Sequence, residues 1–309
     1  MYCMGNLKFP VLFFLFTISF VSIYADAYLA EDSIYYGADT YTLDYAKKVI
    51  RAEGKAFFER GNWRVSARRI IINYAEGVKK AFCYGNVLVR NRATGSELRG
   101  NYGEAHFKDD YYMIEGNALY KDELRSVRAN KIESQSFKHF ICSGNVEYLD
   151  NEVEVHSRFL EIDENGTASF REMVSARFIK TGDEIYSESI RYFSGSGDAE
   201  FVGDVLFIQA DSPSGTESSL ISRSEALRYL RDEDCFLLLN EVYIMNRKYS
   251  FSGSVVRFYR DRNLLESTGE TVVWEVGKAI YCNGMLFDIN SGEVLFSGSV
   301  RGVVDVSSK

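Results

Sequence analysis

The sequence is poor in the residues that form metal sites and interrupt strands. Its 309 residues include two prolines, three histidines and five cysteines. The scarcity of histidine and the lack of a Cys-x-x-Cys pair give little support for a zinc site. Basic residues are outnumbered by acidic ones, 36 to 44, and the formal charge is -8. Nucleic-acid binding needs a dominant basic face, so the charge balance argues against it.

The composition is that of a folded protein rich in aromatic residues. Hydrophobic residues make up 46% of the chain and charged residues 26%, which excludes intrinsic disorder. Tyrosine and phenylalanine number 21 and 22, and leucine-rich amphipathic heptads are absent. Aromatic residues are enriched in strands, so the composition favours a β protein.

Residues 1–25 have the layout of a secretory signal peptide. Lys8 precedes an uninterrupted apolar run at 11–23, and Ala25 and Ala27 provide small residues for cleavage. The run is shorter than the roughly 20 apolar residues of a membrane-spanning helix. We therefore favour a cleaved signal over a retained anchor and expect the mature protein to be soluble outside the cytoplasm.

A repeat of about 30 residues begins soon after this segment. Its first element has the order apolar, any, small, any, any, apolar, any, apolar. The single change of step from two residues to three indicates a β-bulge that bends a strand while both halves face the same side. The small residues of the nine copies are Ala38, Ala67, Gly100, Ala129, Ser157, Ser187, Ser224, Gly253 and Cys282.

The second element of the repeat is a glycine in the middle of an alternating strand, often within Gly-Asn-Val. A glycine at the centre of a strand predicts a kink or a close backbone approach. Nine units of two strands predict about 18 strands in an elongated stack. The central residues are Gly54, Gly85, Gly116, Gly144, Gly203, Gly269 and Gly298, with Arg171 and Asn240 assigned to this position in two copies.

The two faces of the predicted strands differ in charge. The inward positions are uncharged, whereas the outward positions lean basic beside the first element and acidic beside the second. We interpret the two strand types as neighbours paired by these charges, at about 0.2–1 kcal/mol for each contact. The insertion at 211–219 contains the only proline after the signal segment and is interpreted as a loop between two lobes of one stack.

The repeat resembles the OstA-like family of periplasmic lipopolysaccharide-transport proteins of the LptA type. The resemblance rests on 65–74 with 84–87, 127–134 with 144–146, and 185–192 with 203–205. It implies that residues 28–309 form an elongated β-jellyroll, an open V-shaped stack of antiparallel bent strands. Nine units are more than a short bridge protein of this kind needs.

The resemblance also implies a cargo and partners. The cargo would be lipopolysaccharide or another glycolipid, with its acyl chains in the apolar groove. The partners would be further copies of the chain and inner- and outer-membrane transport components, joined edge to edge. No cofactor is implied. The residues predicted to contact lipid are Ile70, Ile72, Val87, Val89, Ile114, Ile132, Val146, Tyr148, Leu160, Ile162, Ile190, Tyr192, Phe201, Val205, Phe207, Leu227, Val242, Val256 and Phe258.

Neither catalytic residues nor a metal site are predicted. The carboxylates fall on outward positions, which gives no acid/base pair shielded from water. Cys83, Cys142 and Cys282 take inward positions and are interpreted as small hydrophobic residues. Cys83 and Cys142 lie two units apart, too far for a disulfide.

Three classes of function remain open. A lipid-transport bridge requires an apolar interior that continues to both ends. A structural or adhesive β-solenoid without lipid cargo requires a tightly packed interior and capped ends. A carbohydrate-active β-helix enzyme requires outward carboxylate clusters beside aromatic platforms. We rank them in this order.

Overall fold

The computed structural model describes residues 34–75, 79–210, 220–246 and 248–304. A single turn of 3-10 helix, Arg231–Glu233, interrupts an otherwise all-β described chain. The strands are Tyr35–Gly37 (β1), Thr40–Asp44 (β2), Val49–Arg60 (β3), Trp63–Asn73 (β4), Lys80–Asn91 (β5), Glu97–His106 (β6), Tyr111–Lys121 (β7), Ser126–Gln135 (β8), His139–Leu149 (β9), Val153–Ile162 (β10), Thr167–Phe178 (β11), Glu184–Phe193 (β12), Asp198–Ile208 (β13), Ile221–Leu230 (β14), Cys235–Met245 (β15), Ser250–Tyr259 (β16), Leu264–Glu275 (β17), Lys278–Asp288 (β18), Val294–Ser297 (β19) and Arg301–Val304 (β20).

The strands form one open antiparallel sheet in which each long strand pairs with the next. β3 to β18 are 10 to 12 residues long and follow one another without a crossover. At about 4.8 Å between strands, these sixteen extend over roughly 70 Å. The predicted elongated, all-β jellyroll is confirmed.

The two ends of the sheet explain why the structure has 20 strands rather than 18. β1 and β2 pair with the two halves of β3 and together correspond to the first predicted strand. β19 and β20 pair with the two halves of β18 and correspond to the last one. The predicted number of strands is therefore right, and the first and last strands are each divided at the bend.

Every long strand bends near its middle, and in all but β11 the bend lies at the position that the repeat predicts. In β9 the bend is formed by Gly144 and Asn145, which both have positive φ angles, 73° and 49°. The pairing of β9 with β8 shifts register here. A Cβ atom on Gly144 would lie 2.6 Å from the Asn130 side chain, so both the backbone angle and the space favour glycine.

One of the two predicted replacements for glycine is wrong by one residue. Asn240, with φ of 60°, takes the glycine position in β15 as expected. In β11 the bend lies at Glu172 and Met173, which have φ angles of 66° and 56°, and not at Arg171. Arg171 still pairs regularly with Ser189 of β12, so the bend begins after it.

The bends divide the sheet into two wings that face each other. Wing A contains the strand halves that end at the turns β3–β4, β5–β6 and so on to β17–β18. Wing B contains the halves that end at the turns β2–β3, β4–β5 and so on to β18–β19. The bends form the closed side of the V, and we call the opposite side, where the two rows of turns meet, the mouth. One hydrophobic core lies between the wings from Ile50 to Ile289.

The predicted insertion at 211–219 lies outside the described residues, as do residues 1–25. On either side of it, β13 and β14 pair from Ala199–Tyr229 to Ile208–Ile221. The backbone N–H of Gln209 also donates to the carbonyl oxygen of Leu220, at 2.9 Å. The sheet therefore continues past the insertion.

Candidate functional site

The structure places all nineteen predicted lipid-contacting side chains between the wings. Each belongs to the single core cluster, and the most exposed of them, Tyr192, is 6% exposed. Their alternation with outward residues follows the pleat of the strands. The inner face is therefore where the sequence pattern puts it, and contact of these residues with lipid stays a prediction.

The mouth is crossed by contacts between the two rows of turns. Near the N-terminal end, the ring of Trp63 in wing A stacks on Phe137 in wing B, with centroids 3.5 Å apart. Tyr112 packs on the same Phe137 ring at 4.4 Å. The Arg60 guanidinium donates to the Asp110 carboxylate at 2.8 Å, also between the wings. This aromatic clamp holds the mouth together at its N-terminal end.

The middle of the mouth is lined by tyrosines that point from the core toward carboxylates in the turns. The Tyr120 hydroxyl donates to Asp122 at 2.8 Å, and the Tyr148 hydroxyl donates to Asp150 at 3.1 Å. Burial, followed by the nearby carboxylates, raises the pKa of both phenols. These rings therefore have an apolar body in the core and a polar tip at the mouth.

Arg260 is the centre of a polar cluster at the C-terminal part of the mouth. Its side chain is 13% exposed and lies in the β16–β17 turn of wing B. It crosses to wing A, where Nη1 donates to Thr181 Oγ1 at 3.1 Å and to Asp183 Oδ2 at 3.4 Å. Nη2 donates to the Tyr229 hydroxyl at 3.0 Å and to Asp234.

Three aromatic rings surround the same guanidinium. Its carbon lies 5.3 Å from the Tyr229 centroid and 5.6 Å from the centroids of Phe178 and Phe236. Asp183 is only 3% exposed and also accepts from the backbone N–H of Ala210 at 3.0 Å. The cluster thus joins one turn of wing A to two turns of wing B through a cation that is largely removed from water.

The sequence pattern did not predict the contacts of the aromatic clamp or of the Arg260 cluster. Trp63, Phe137 and Arg260 lie at strand ends or in turns, outside the alternating positions of the repeat. Trp63 and Phe137 are 74 residues apart along the chain, and Asp183 and Arg260 are 77 residues apart. A periodic pattern carries no signal for such contacts.

The four described cysteines are free and buried. Burial raises the pKa of the Cys83 and Cys142 thiols to about 12, so both stay protonated at neutral pH. The interpretation of Cys83, Cys142 and Cys282 as small core residues agrees with this. Cys235, which had no predicted inward position, is buried as well.

Histidines do not converge on a common site. His106, His139 and His156 each lie beside one glutamate, with nitrogen–oxygen distances of 3.1 to 3.3 Å. Among the described residues, no group of three or more His, Cys, Asp or Glu side chains is arranged to hold a metal ion.

The sequence of the first units matches a known family. Residues 35–140 match the family described as LptA/(LptD N-terminal domain) LPS transport protein. This segment is therefore similar to an OstA-like domain of the LptA type. The resemblance inferred from the repeat is confirmed for this segment, which covers β1 to the start of β9.

Two further comparisons accompany this match to the LptA-type family. LptH of Pseudomonas aeruginosa, whose structure is described as the LptA homologous periplasmic component of the conserved lipopolysaccharide transport device, is 9% identical, with a TM-score of 0.24. The similarity covers 59% of this chain and 94% of LptH. A comparison with curated proteins found no match. Within the described residues, no helix is long and apolar enough to cross a membrane.

Within the described residues, the sheet has unpaired edges at both ends. At the N-terminal end, Ile34, Ala38 and Leu43 pack against the core while Tyr41 is 61% exposed. At the C-terminal end, β20 is exposed throughout, and Val303 is 61% exposed. Each end therefore presents backbone donors and acceptors beside apolar side chains, a surface suited to strand addition.

The core is also accessible at the C-terminal end through a cavity of about 250 Å³. The cavity lies where β17 and β18 of wing A face the β18–β19 turn of wing B. Its apolar lining residues are Tyr249, Val273, Ile280, Val294 and Phe296.

Proposed function

We propose that the chain is a periplasmic lipid-binding protein that carries lipopolysaccharide, or a related glycolipid, from the inner toward the outer membrane. The acyl chains lie between the two wings in contact with the inward rows, and the headgroup remains at the mouth. The proposed function requires no catalysis. The observation that carries it is the uncharged, mainly apolar inner face of a sheet whose first units match the LptA-type family.

The energetics of the inner face support a lipid cargo. Each methylene moved from water into an apolar environment gains about 0.8 kcal/mol. The inward rows run from β3 to β18, so an acyl chain at any level of the stack meets uncharged side chains. Because the inward side chains fill the space between the wings, we propose that the wings part at the mouth when cargo enters.

The ends of the sheet support assembly with similar sheets. We propose that β1 and β2 at one end, and β19 and β20 at the other, add to the edge strands of further copies or of inner- and outer-membrane components with the same fold. Strand addition would satisfy the unpaired backbone groups and would join the apolar interiors of neighbouring molecules.

A photo-crosslinking experiment in cells tests the cargo. A photoreactive amino acid is placed at Val146 or at Ile190, which are 1% and 3% exposed and face the interior. The matched controls are the adjacent outward residues Glu147 and Arg191, which are exposed on the same strands. Lipopolysaccharide attached to the inward sites and missing from the outward sites is the expected result. Recovery of no lipid from either inward site would overturn the proposal.

The close packing of the core favours a second candidate function. A structural or adhesive β-solenoid needs a filled interior, and the inward side chains here are almost completely buried. This candidate predicts that cross-linkers at Val146 and Ile190 capture only neighbouring parts of the same chain. The same experiment therefore separates the two candidates.

A further inference from the structure

The outer face of wing A changes from charged to mainly apolar halfway along the sheet. From β12 to β20, eleven of the sixteen side chains in two neighbouring outward rows are apolar or aromatic. We call these rows the apolar strip. In strand order, its members are Glu184, Ile208, Ile221, Met245, Ser250, Trp274, Ala279 and Val303 in one row, and Tyr186, Leu206, Arg223, Tyr243, Ser252, Val272, Tyr281 and Arg301 in the other.

The corresponding rows in the first half of wing A are charged. From β3 to β10, nine of the sixteen outward positions in the same two rows carry Lys, Arg, Asp or Glu, against three of sixteen in the apolar strip. Several of these charges are paired, as in Arg64–Glu59 at 2.7 Å and Arg128–Glu147 at 3.5 Å. Both halves are built on the same repeat, so the difference is not a consequence of the fold.

The apolar strip is accessible to solvent. Tyr186, Tyr243, Met245 and Tyr281 are 41% to 46% exposed, and Trp274 is 37% exposed. The rings of Tyr243 and Trp274 lie 6.4 Å apart. With eight strands about 4.8 Å apart, the strip is roughly 34 Å long. An exposed apolar surface of this length marks a site of interaction.

The β17–β18 turn extends the strip at its edge. Val276 at the tip of this turn is 97% exposed, and Trp274 lies two residues before it. A fully exposed valine beside a tryptophan is unfavourable in water and favourable at the boundary between headgroups and acyl chains.

The charges within the strip indicate the partner. The strip itself contains Arg223 and Arg301 against one acid, Glu184, although the whole chain carries a charge of -8. Tyrosine, tryptophan and arginine together are typical of surfaces that lie at an anionic membrane interface. We propose that the apolar strip docks this half of the molecule on the surface of an anionic lipid bilayer, a function separate from the cargo site between the wings.

The two tryptophans allow the docking surface and the cargo site to be followed separately. Trp274 lies in the strip and Trp63 at the mouth, and the chain has no other tryptophan. The full mature chain carrying Trp63→Phe leaves Trp274 as the only reporter, and Trp274→Phe leaves Trp63. Each variant is mixed with vesicles of phosphatidylcholine alone or of phosphatidylcholine with phosphatidylglycerol, and fluorescence and flotation are measured.

We expect Trp274 emission to shift to the blue, and the protein to float, with the phosphatidylglycerol vesicles only. Brominated acyl chains in these vesicles should quench Trp274. If Trp63 responds instead and Trp274 does not, lipid enters the mouth and the docking proposal is wrong while the cargo proposal stands. If neither responds and no protein floats, the docking proposal is also wrong.

Charge reversal tests whether the strip itself is responsible. The double variant Arg223→Glu and Arg301→Glu should lower vesicle partitioning by about tenfold or more, since each basic residue near an anionic surface contributes to binding. The control Arg99→Glu and Arg128→Glu makes the same change in net charge in the same row of the first half, where both residues are exposed. An equal loss in both variants would contradict the proposal, because it would show that total charge alone decides binding. A concentration-dependent blue shift without vesicles, accompanied by dimers in sedimentation, would assign the strip to a second copy of the chain.

Discussion

The first half of the sheet, β3 to β11, and the second half, β12 to β20, differ in where their charged side chains lie. The first half keeps its charges on the outer surface of wing A and closes its mouth with the stacked rings of Trp63 and Phe137. The second half has the mainly apolar strip in the same outer rows of wing A and encloses a cation, Arg260, in the mouth. The repeat constrains the inner face in both halves, so the outer face and the turns are the parts of the unit that can diverge.

The largest expected effect comes from the buried cation. Arg260→Leu leaves Asp183, which is 3% exposed, without its positive partner. Breaking a buried pair in this way costs about 3–5 kcal/mol. We expect a loss of this size in the free energy of unfolding, measured with urea.

Arg262→Leu is the matched control for Arg260→Leu. Arg262 lies in the same turn but is 57% exposed, so its replacement should change stability by no more than about 0.5 kcal/mol. Equal losses for the two variants would mean that Arg260 contributes no more to stability than a surface arginine. The two halves would then not differ by a stabilising buried cation.

The aromatic clamp of the first half should contribute less. Trp63→Ala removes a half-buried ring stacked on Phe137, and we expect a loss of about 2 kcal/mol. Trp63→Phe should retain most of the stability. Hydrogen exchange should increase in the turns 60–63 and 135–139 of the first half while the Arg260 cluster stays protected. Uniform loss of protection along the whole sheet would contradict independent closure of the two parts of the mouth.

We expect the first half to be the more acid-sensitive part because of three of its glutamates. Hydrogen bonds from Arg99 and Arg90 lower the pKa of Glu97. Burial raises the pKa of Glu104 and Glu133, but this is outweighed by hydrogen bonds from Tyr102 to Glu104 and from Lys131 to Glu133, among others, so that both pKa values are lowered as well.

The stability from these carboxylates should be lost in acid. Because each folded-state pKa lies below the ordinary value of 4.5, the contribution is complete above about pH 4.5 and disappears as the pH falls through the folded-state pKa. The three groups together should contribute about 1 kcal/mol, since they are partly solvated and screened. Hydrogen exchange between pH 6 and pH 3 should show β6 to β8 losing protection before β14 to β17. The reverse order would contradict the assignment.

The smallest effect is expected for the exposed charge ladder of the first half. Glu147 is 51% exposed and lies 3.5 Å from Arg128, which is 70% exposed. Glu147→Lys should lower stability by about 0.5 kcal/mol or less at low salt, and the loss should vanish in about 1 M salt. Glu147→Gln, which removes attraction without adding repulsion, should give a smaller loss. An unchanged stability at low salt for Glu147→Lys would show that the ladder does not stabilise pairing.

Much of the inner face could be predicted because it depends on local geometry. Val146 and Tyr148 face the core and Glu147 faces water since successive side chains of a strand point to opposite sides. The bend at Gly144 was predictable because few residues accept its backbone angle. The bend in β11 was misplaced by one residue because Glu172 and Met173 adopt the same angles without the glycine that marks the other copies.

The sequence by itself determined the strand periodicity, the order of the units and the residues of the apolar interior, because the pleat and the bend act within a few neighbouring residues. Only the tertiary structure decided which turns meet across the mouth, so that Arg260 reaches Asp183 and Trp63 reaches Phe137. It also showed that Tyr243, Trp274 and Tyr281 form one exposed surface with residues of five other strands. These contacts depend on the register of many strands and on how the two wings face each other, which no single repeat unit encodes.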